Sequence, residues 1–318
     1  MQNIIKNTKN NPKKSLGQYF LGDKGILKKI AIFAQIGKED VVLEVGPGEG
    51  SLTEFILEKA KKVIAVEKDG RMIEFLKEKF SKEIKEGKLE VIEGDILDLK
   101  LGEPEKSPVR KTFAARRREN SKNSAEFYAC LSNRSFSLAQ DYILVGNIPY
   151  YITGALFKKA LESPNPPKSI TFIVQKEVAE RIMGSHFAKA SRNKKESILS
   201  ISIKAYGKPE YGGIIKAGSF HPKPKVDSAI ISVRNINKEN FKNISESKFF
   251  EILKAGFAHK RKLLIRNLLA LSKSNAEKFD KKGMIKEIFG KCGISEKARA
   301  ENLSVENWIF LAKELQKD

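Results

Sequence analysis

Short apolar runs alternating with segments of helical spacing constrain this chain more than any other feature. After helical spacing at Ile26, Leu27, Ile30 and Phe33, Val41-Val42-Leu43-Glu44-Val45 reads as a buried strand and Ser51 to Ala60 as a helix. Lys62 to Val66 is a second strand, Arg71 to Phe80 a helix, Leu89 to Ile92 a third strand and Tyr142 to Val145 a fourth. Thr153 to Leu161 is helical, Ser169 to Val174 a strand and Lys176 to Met183 a helix, while Ser197 to Tyr206 and Ala229 to Val233 read as further strands. Strands alternating with helices imply an α/β fold around a parallel, doubly wound sheet.

From about Lys238 the alternation stops. Phe249, Phe250, Leu253, Ala255 and Phe257 share one helix, and Leu263 to Leu271, Met284 to Phe289 and Val305 to Leu315 give further amphipathic segments. The reading is a mobile basic tail at 1–14, an α/β domain at 15–240 and a small all-helical domain at 241–318. A segment at 101–141, with Pro104, Pro108 and Arg116-Arg117-Arg118, interrupts the first domain as a basic insertion. Loops of that length are functional or disordered, and a mobile RNA-contacting arm and a tolerated insertion both fit.

Charge narrows the partners. Lys and Arg number 60 against 39 Asp and Glu, a net charge of +21, which favours a polyanion, nucleic acid above all. The two cysteines and three histidines form no metal-ligand spacing, so no metal is expected. There is no signal-peptide pattern and no apolar stretch of membrane-span length. A cytoplasmic protein without a membrane partner is expected.

The chemistry collects at strand ends. Glu44-Val45-Gly46-Pro47-Gly48-Glu49-Gly50 follows the first strand, where glycines let a ligand approach the backbone. Pro47 departs from the dinucleotide fingerprint, and no Walker lysine is present. Glu67 ends the second strand and can bond ribose hydroxyls. Asp95, followed by Ile96, lies just past the third and can accept from an adenine amino group. Together these describe an adenosyl pocket without phosphate clamps, which suits S-adenosylmethionine better than NAD or ATP. The fourth strand ends in Asn147-Ile148-Pro149-Tyr150. The Asn147 side-chain oxygen and the Ile148 carbonyl can accept the two N–H groups of an exocyclic amine, Pro149 fixes the turn, and Tyr150 can stack on the base. An adenine amine is the expected nucleophile.

With these residues in place, the chain resembles the ribosomal RNA adenine N6,N6-dimethyltransferase family. Lys14-Ser15-Leu16-Gly17-Gln18-Tyr19-Phe20-Leu21 is similar to the family's N-terminal box over the cofactor. Where the family usually has Asn or His this chain has Tyr19, whose backbone can still serve. Ser219-Phe220-His221-Pro222-Lys223-Pro224-Lys225-Val226-Asp227-Ser228 resembles a later signature, and Phe257 to Leu264, with Lys260-Arg261-Lys262, a basic C-terminal box. The resemblance implies a Rossmann-like class I methyltransferase sheet with a helical C-terminal domain, acting as a monomer on two adjacent adenosines in a 3′-terminal hairpin of small-subunit rRNA. It implies a cofactor site at Gln18, Tyr19, Leu21, Gly46, Gly48, Glu67, Asp95, Ile96 and Asn147. Phe220 joins the catalytic group by stacking on the base opposite Tyr150. Lys223, Lys225, Lys260, Arg261, Lys262 and Arg266 are expected to contact RNA phosphates. A large-subunit (Erm-type) dimethyltransferase shares the fold and the tetrapeptide, and a non-catalytic ribosome-assembly factor could share the scaffold. The Phe220 and Lys260 boxes favour the first reading, and the intact pocket residues argue against the last.

Overall fold

A computed structural model describes residues 12–13, 16–101, 135–136, 142–184, 195–271 and 275–316. Most of the 1–14 tail and of the 101–141 insertion lies outside these residues. The described residues form two compact units, one running to Gln175 with Gly212–Ser232, the other Lys176–Tyr211 with the residues from Val233 on.

In the first unit a two-residue strand β1 (Phe20–Leu21) precedes α1 (Lys24–Phe33). Asp23 caps α1 by accepting from the Ile26 N–H at 3.0 Å. There follow β2 (Val41–Val45), α2 (Ser51–Leu57), β3 (Lys62–Glu67), α3 (Gly70–Lys79), α4 (Ser81–Lys85), β4 (Leu89–Glu93), the short strands β5 (Lys100–Leu101) and β6 (Ser135–Phe136), β7 (Tyr142–Gly146), α5 (Thr153–Leu161) and β8 (Ser169–Gln175). Then come α6 (Lys176–Met183), α7 (Ile198–Tyr206), β9 (Lys208–Ile215), β10 (Phe220–His221) and β11 (Ser228–Arg234).

Seven strands form one sheet in the order β4-β3-β2-β7-β8-β11-β9. Its pairings from β4 through β8 are parallel, and the sheet as a whole is mixed. All of β7 and all but the first residue of β2 and β3 are buried; strands covered on both faces read as unbroken apolar runs. Register then fixes the site. Val45 lies opposite Val66 and Gly146, and Glu67 opposite Glu93. The residues just past those positions emerge at one edge of the sheet.

Apart from elements of five residues or fewer, two elements differ from the sequence expectation. Ile198–Tyr206 is a helix, not a strand. The Ile201-Ser202-Ile203-Lys204-Ala205 alternation mimics a strand, but Ser197 and Ser200 form a reciprocal capping box that starts a helix. Lys204, buried one turn on, pairs with Glu196 at 2.6 Å. The eight-residue β9 carries Pro209, Gly212 and Gly213, which hide it from a propensity reading, and it sits at the sheet edge, where proline is tolerated.

The second unit continues with α8 (Glu246–Gly256), α9 (Leu264–Leu268), α10 (Asn275–Lys291) and α11 (Val305–Leu315). Trp308 is fully buried and stacks on Phe257 at 5.5 Å. A Cβ at Gly256 would stand 2.3 Å from the indole, so only glycine lets these elements meet. Asn267 donates to the carbonyls of Gly256 and His259 at 2.6 and 3.1 Å. It thereby pins the turn leading into Lys260, Arg261 and Lys262.

Candidate active site

The glycine loop follows β2 with Gly46, Gly48 and Gly50 all in the left-handed region (φ +66, +57 and +73), a conformation that costs other residues energy. A Cβ at Gly48 would lie 2.8 Å from the Phe20 ring, so β1 presses directly on the loop. The Gly48 N–H donates to Glu67 Oε2 at 3.0 Å, and the N–H groups of Lys68 and Asp69 both donate to Oε1 at 2.8 Å. A carboxylate offers about four lone-pair sites, so roughly one remains, on Oε2. Gripping both ribose hydroxyls would require the Gly48 bond to yield. Burial raises the Glu67 carboxyl above its ordinary range despite these bonds. Burial opposes ionisation of Asp95 too, but there Lys68, at 2.8 Å, and the Leu97 N–H outweigh it and hold the carboxyl low. On β2 itself Glu44 is 1% exposed, and burial foremost, with Glu67 adding, pushes it up to about 8. Its Oε2 has no hydrogen-bond partner among the described residues.

The N-terminal box closes over this edge. The Lys13 N–H donates to Gln18 Oε1 at 2.8 Å, and Gln18 Nε2 donates to Asp69 Oδ2 at 3.2 Å. Arg71 bonds the same carboxylate through Nε and Nη2 and holds it near pKa 2. β1 pairs antiparallel with β10, Phe20 opposite His221 and Leu21 opposite Phe220. This delivers the Tyr19 carbonyl to Asn147, whose Nδ2 donates to it at 2.8 Å. Because the amide nitrogen is used there, Oδ1 is the acceptor left to the cavity. Tyr150 opens a 3-10 turn after Pro149; its ring stacks on Tyr19, and its hydroxyl lies 2.7 Å from Ser228 Oγ.

One cavity, enclosing about 1050 Å³ of space open to solvent, unites these groups. Gln18, Tyr19, Leu21, Gly46, Gly48, Glu67, Asp95 and Ile96 all line it, as do Asn147, Ile148, Pro149 and Tyr150. A Cβ on Gly46 would come within 3.9 Å of the Asn147 carbonyl oxygen, so loop and tetrapeptide are neighbours.

Residues 9–317 match the family model described as ribosomal RNA adenine dimethylase. This chain belongs to that family. As a dimethylase family member it is a methyltransferase, with an S-adenosylmethionine-dependent type of fold. It is 37% identical over 303 residues to "Ribosomal RNA small subunit methyltransferase A" of Fusobacterium nucleatum, covering 95% of this chain and 96% of that one. The crystal structure of a dimethyladenosine transferase from Plasmodium falciparum aligns with TM-score 0.67 and 26% identity, over 94% of this chain and 98% of the other. That of the 23S rRNA methyltransferase ErmE aligns with TM-score 0.62 over 93% and 99%, and at 22% identity it shows the fold alone.

Within this dimethylase the expected residues divide. Phe220 does not line the cavity. It is 5% exposed and packs in the core that also holds Leu21, its strand paired with β1. Lys223 and Lys225 are exposed beyond β10, and Lys260, Arg261, Lys262 and Arg266 are exposed in the second unit. Local sequence marks neither Ser228 nor Asp69 as a site residue, since Tyr150 and Gln18, which they meet, lie far along the chain. Among the described residues no helix is long and apolar enough to cross a membrane, and no cluster of His, Cys, Asp and Glu could hold a metal.

Proposed function

We propose that this chain transfers methyl groups from S-adenosylmethionine to the N6 amines of two adjacent adenosines in a 3′-terminal hairpin of small-subunit rRNA, giving N6,N6-dimethyladenosines during ribosome biogenesis. The observation that carries this reading is the Asn147 amide, fixed by the Tyr19 carbonyl so that Oδ1 faces the cavity as an acceptor. S-adenosylmethionine suits the donor set: left-handed glycines permit close approach, Glu67 offers a bond to ribose, Asp95 to the adenine amino group, and Ile96 an apolar wall. Gln18, Tyr19 and Leu21, which line the same cavity, would cover it. When bound, it supplies an electrophilic sulfonium methyl group.

The residues of the chain do the rest. Asn147 Oδ1 and the Ile148 carbonyl accept the two N–H bonds of the amine and favour the pyramidal nitrogen that attacks. Tyr150 stacks on the extruded base and holds it in line. No side chain is needed as a base, because the proton leaves to solvent after transfer. Lys223, Lys225, Lys260, Arg261, Lys262 and Arg266 neutralise phosphates. Residues 15–240 carry methyl transfer and 241–318 most of the RNA affinity, with Lys223 and Lys225 adding to it from the first segment. The protein works as a monomer in the cytoplasm.

Tritium transfer from labelled S-adenosylmethionine to under-methylated small subunits tests this. Asn147→Ala should lower the rate by about 10²- to 10³-fold while RNA and S-adenosylmethionine binding persist. A fully active variant, or no incorporation by the unaltered protein, overturns the reading.

A further inference from the structure

The Tyr150 ring is held at two places. Its hydroxyl meets Ser228 Oγ at 2.7 Å, and one face lies against Tyr19 with centroids 5.4 Å apart and planes at 22°. Ser228 is fully buried at the first position of β11, a strand of the seven-stranded sheet. Burying a hydroxyl is unfavourable unless it is bonded, and its recorded partner is the Tyr150 phenol. Ser228 does not line the cavity.

We propose that Ser228 is a positioning residue for methyl transfer: it anchors the phenol end of Tyr150 while Tyr19 covers one ring face, leaving the other face as the seat for the target base. The inference rests on Tyr150 being the base-stacking residue. Tyr150 lies three residues beyond Asn147, on the far side of Pro149. A ring freed to rotate about its Cα–Cβ bond no longer registers the base against Asn147 Oδ1. The anchor thus sets the alignment of the amine, and its loss slows the bound complex rather than weakening cofactor binding.

A variant cycle with two readouts tests it: the single-turnover methylation rate, and the fluorescence of rRNA carrying 2-aminopurine at the target position, which stacking quenches. Ser228→Ala and Tyr150→Phe each remove one side of the same bond. Each should lower the rate on the order of tenfold and reduce quenching, with S-adenosylmethionine affinity unchanged, and the double variant should be no worse than either. Multiplying defects, or a parallel loss of cofactor affinity, overturn the anchor. Should Ser228→Ala fail to fold, Tyr150→Phe alone decides: an unaltered rate and quenching reject the proposal. Tyr150→Ala separates the two readings. If it leaves quenching intact, stacking itself is wrong; if it abolishes quenching while Tyr150→Phe and Ser228→Ala behave as the unaltered protein, only the anchor is wrong.

Discussion

Glu44 concentrates an unusual amount of free energy in one carboxyl. Its folded pKa of about 8 stands above the ordinary 4.5 because burial penalises the charge. Below about 4.5 both folded and unfolded chains keep the proton. Between about 4.5 and about 8 the folded chain binds more protons than the unfolded one, so stability falls as pH rises; above that window the difference is constant. Glu44→Gln removes the effect. Thermal melts should show the stability gap between pH 5 and pH 8 narrowing by on the order of 5 °C relative to the unaltered protein, and an unchanged gap would mean that Glu44 titrates normally. Asp69 has the opposite sign. Arg71 holds it near 2, so its contribution is present above about 3.8 and is lost as acid approaches 2. Acid should therefore loosen the Gln18 latch.

Elements here depend on how closely they approach. Gly50 ends the loop at the start of α2 with φ +73, and a Cβ there would lie 2.4 Å from Phe80 and 2.9 Å from Leu76. Gly50→Ala combines overpacking with a left-handed backbone and should cost about 1–3 kcal/mol. Urea titration should show a lower midpoint with an unchanged slope; an unmoved midpoint would mean that α2 shifts freely. The same closeness explains what the sequence made legible. Glu67, Asp95 and Asn147 could be placed because buried parallel strands announce themselves as apolar runs, and a polar residue ending such a run stands out. β1 and β10 have two residues each and no periodicity, so their pairing, which sets Leu21 opposite Phe220, depends on a contact that local pattern does not encode. Ile198–Tyr206 carries a strand's alternation and a helix's cap, and the cap prevailed.

At the scale of the whole molecule the +21 charge predicts salt-sensitive association with RNA. Lys260, Arg261 and Lys262 are exposed, and no carboxylate among the described residues pairs with them. Replacing all three with alanine should weaken binding to every RNA sequence alike and lower the slope of log affinity against log salt by about 2–3. Fluorescence anisotropy across a salt series measures this, and an unchanged slope would place the phosphate contacts elsewhere. The strand order carries a different consequence. β7 brings Asn147 into the sheet between β2 and β8, yet it is synthesised after the long 101–141 segment. A nascent chain therefore holds its glycine loop, Glu67 and Asp95 for some time with no amide beside them. Competence arrives only once β7 has added beside β2, at the edge of the strands already made, so a translation product truncated before it is silent towards the very particle that makes it.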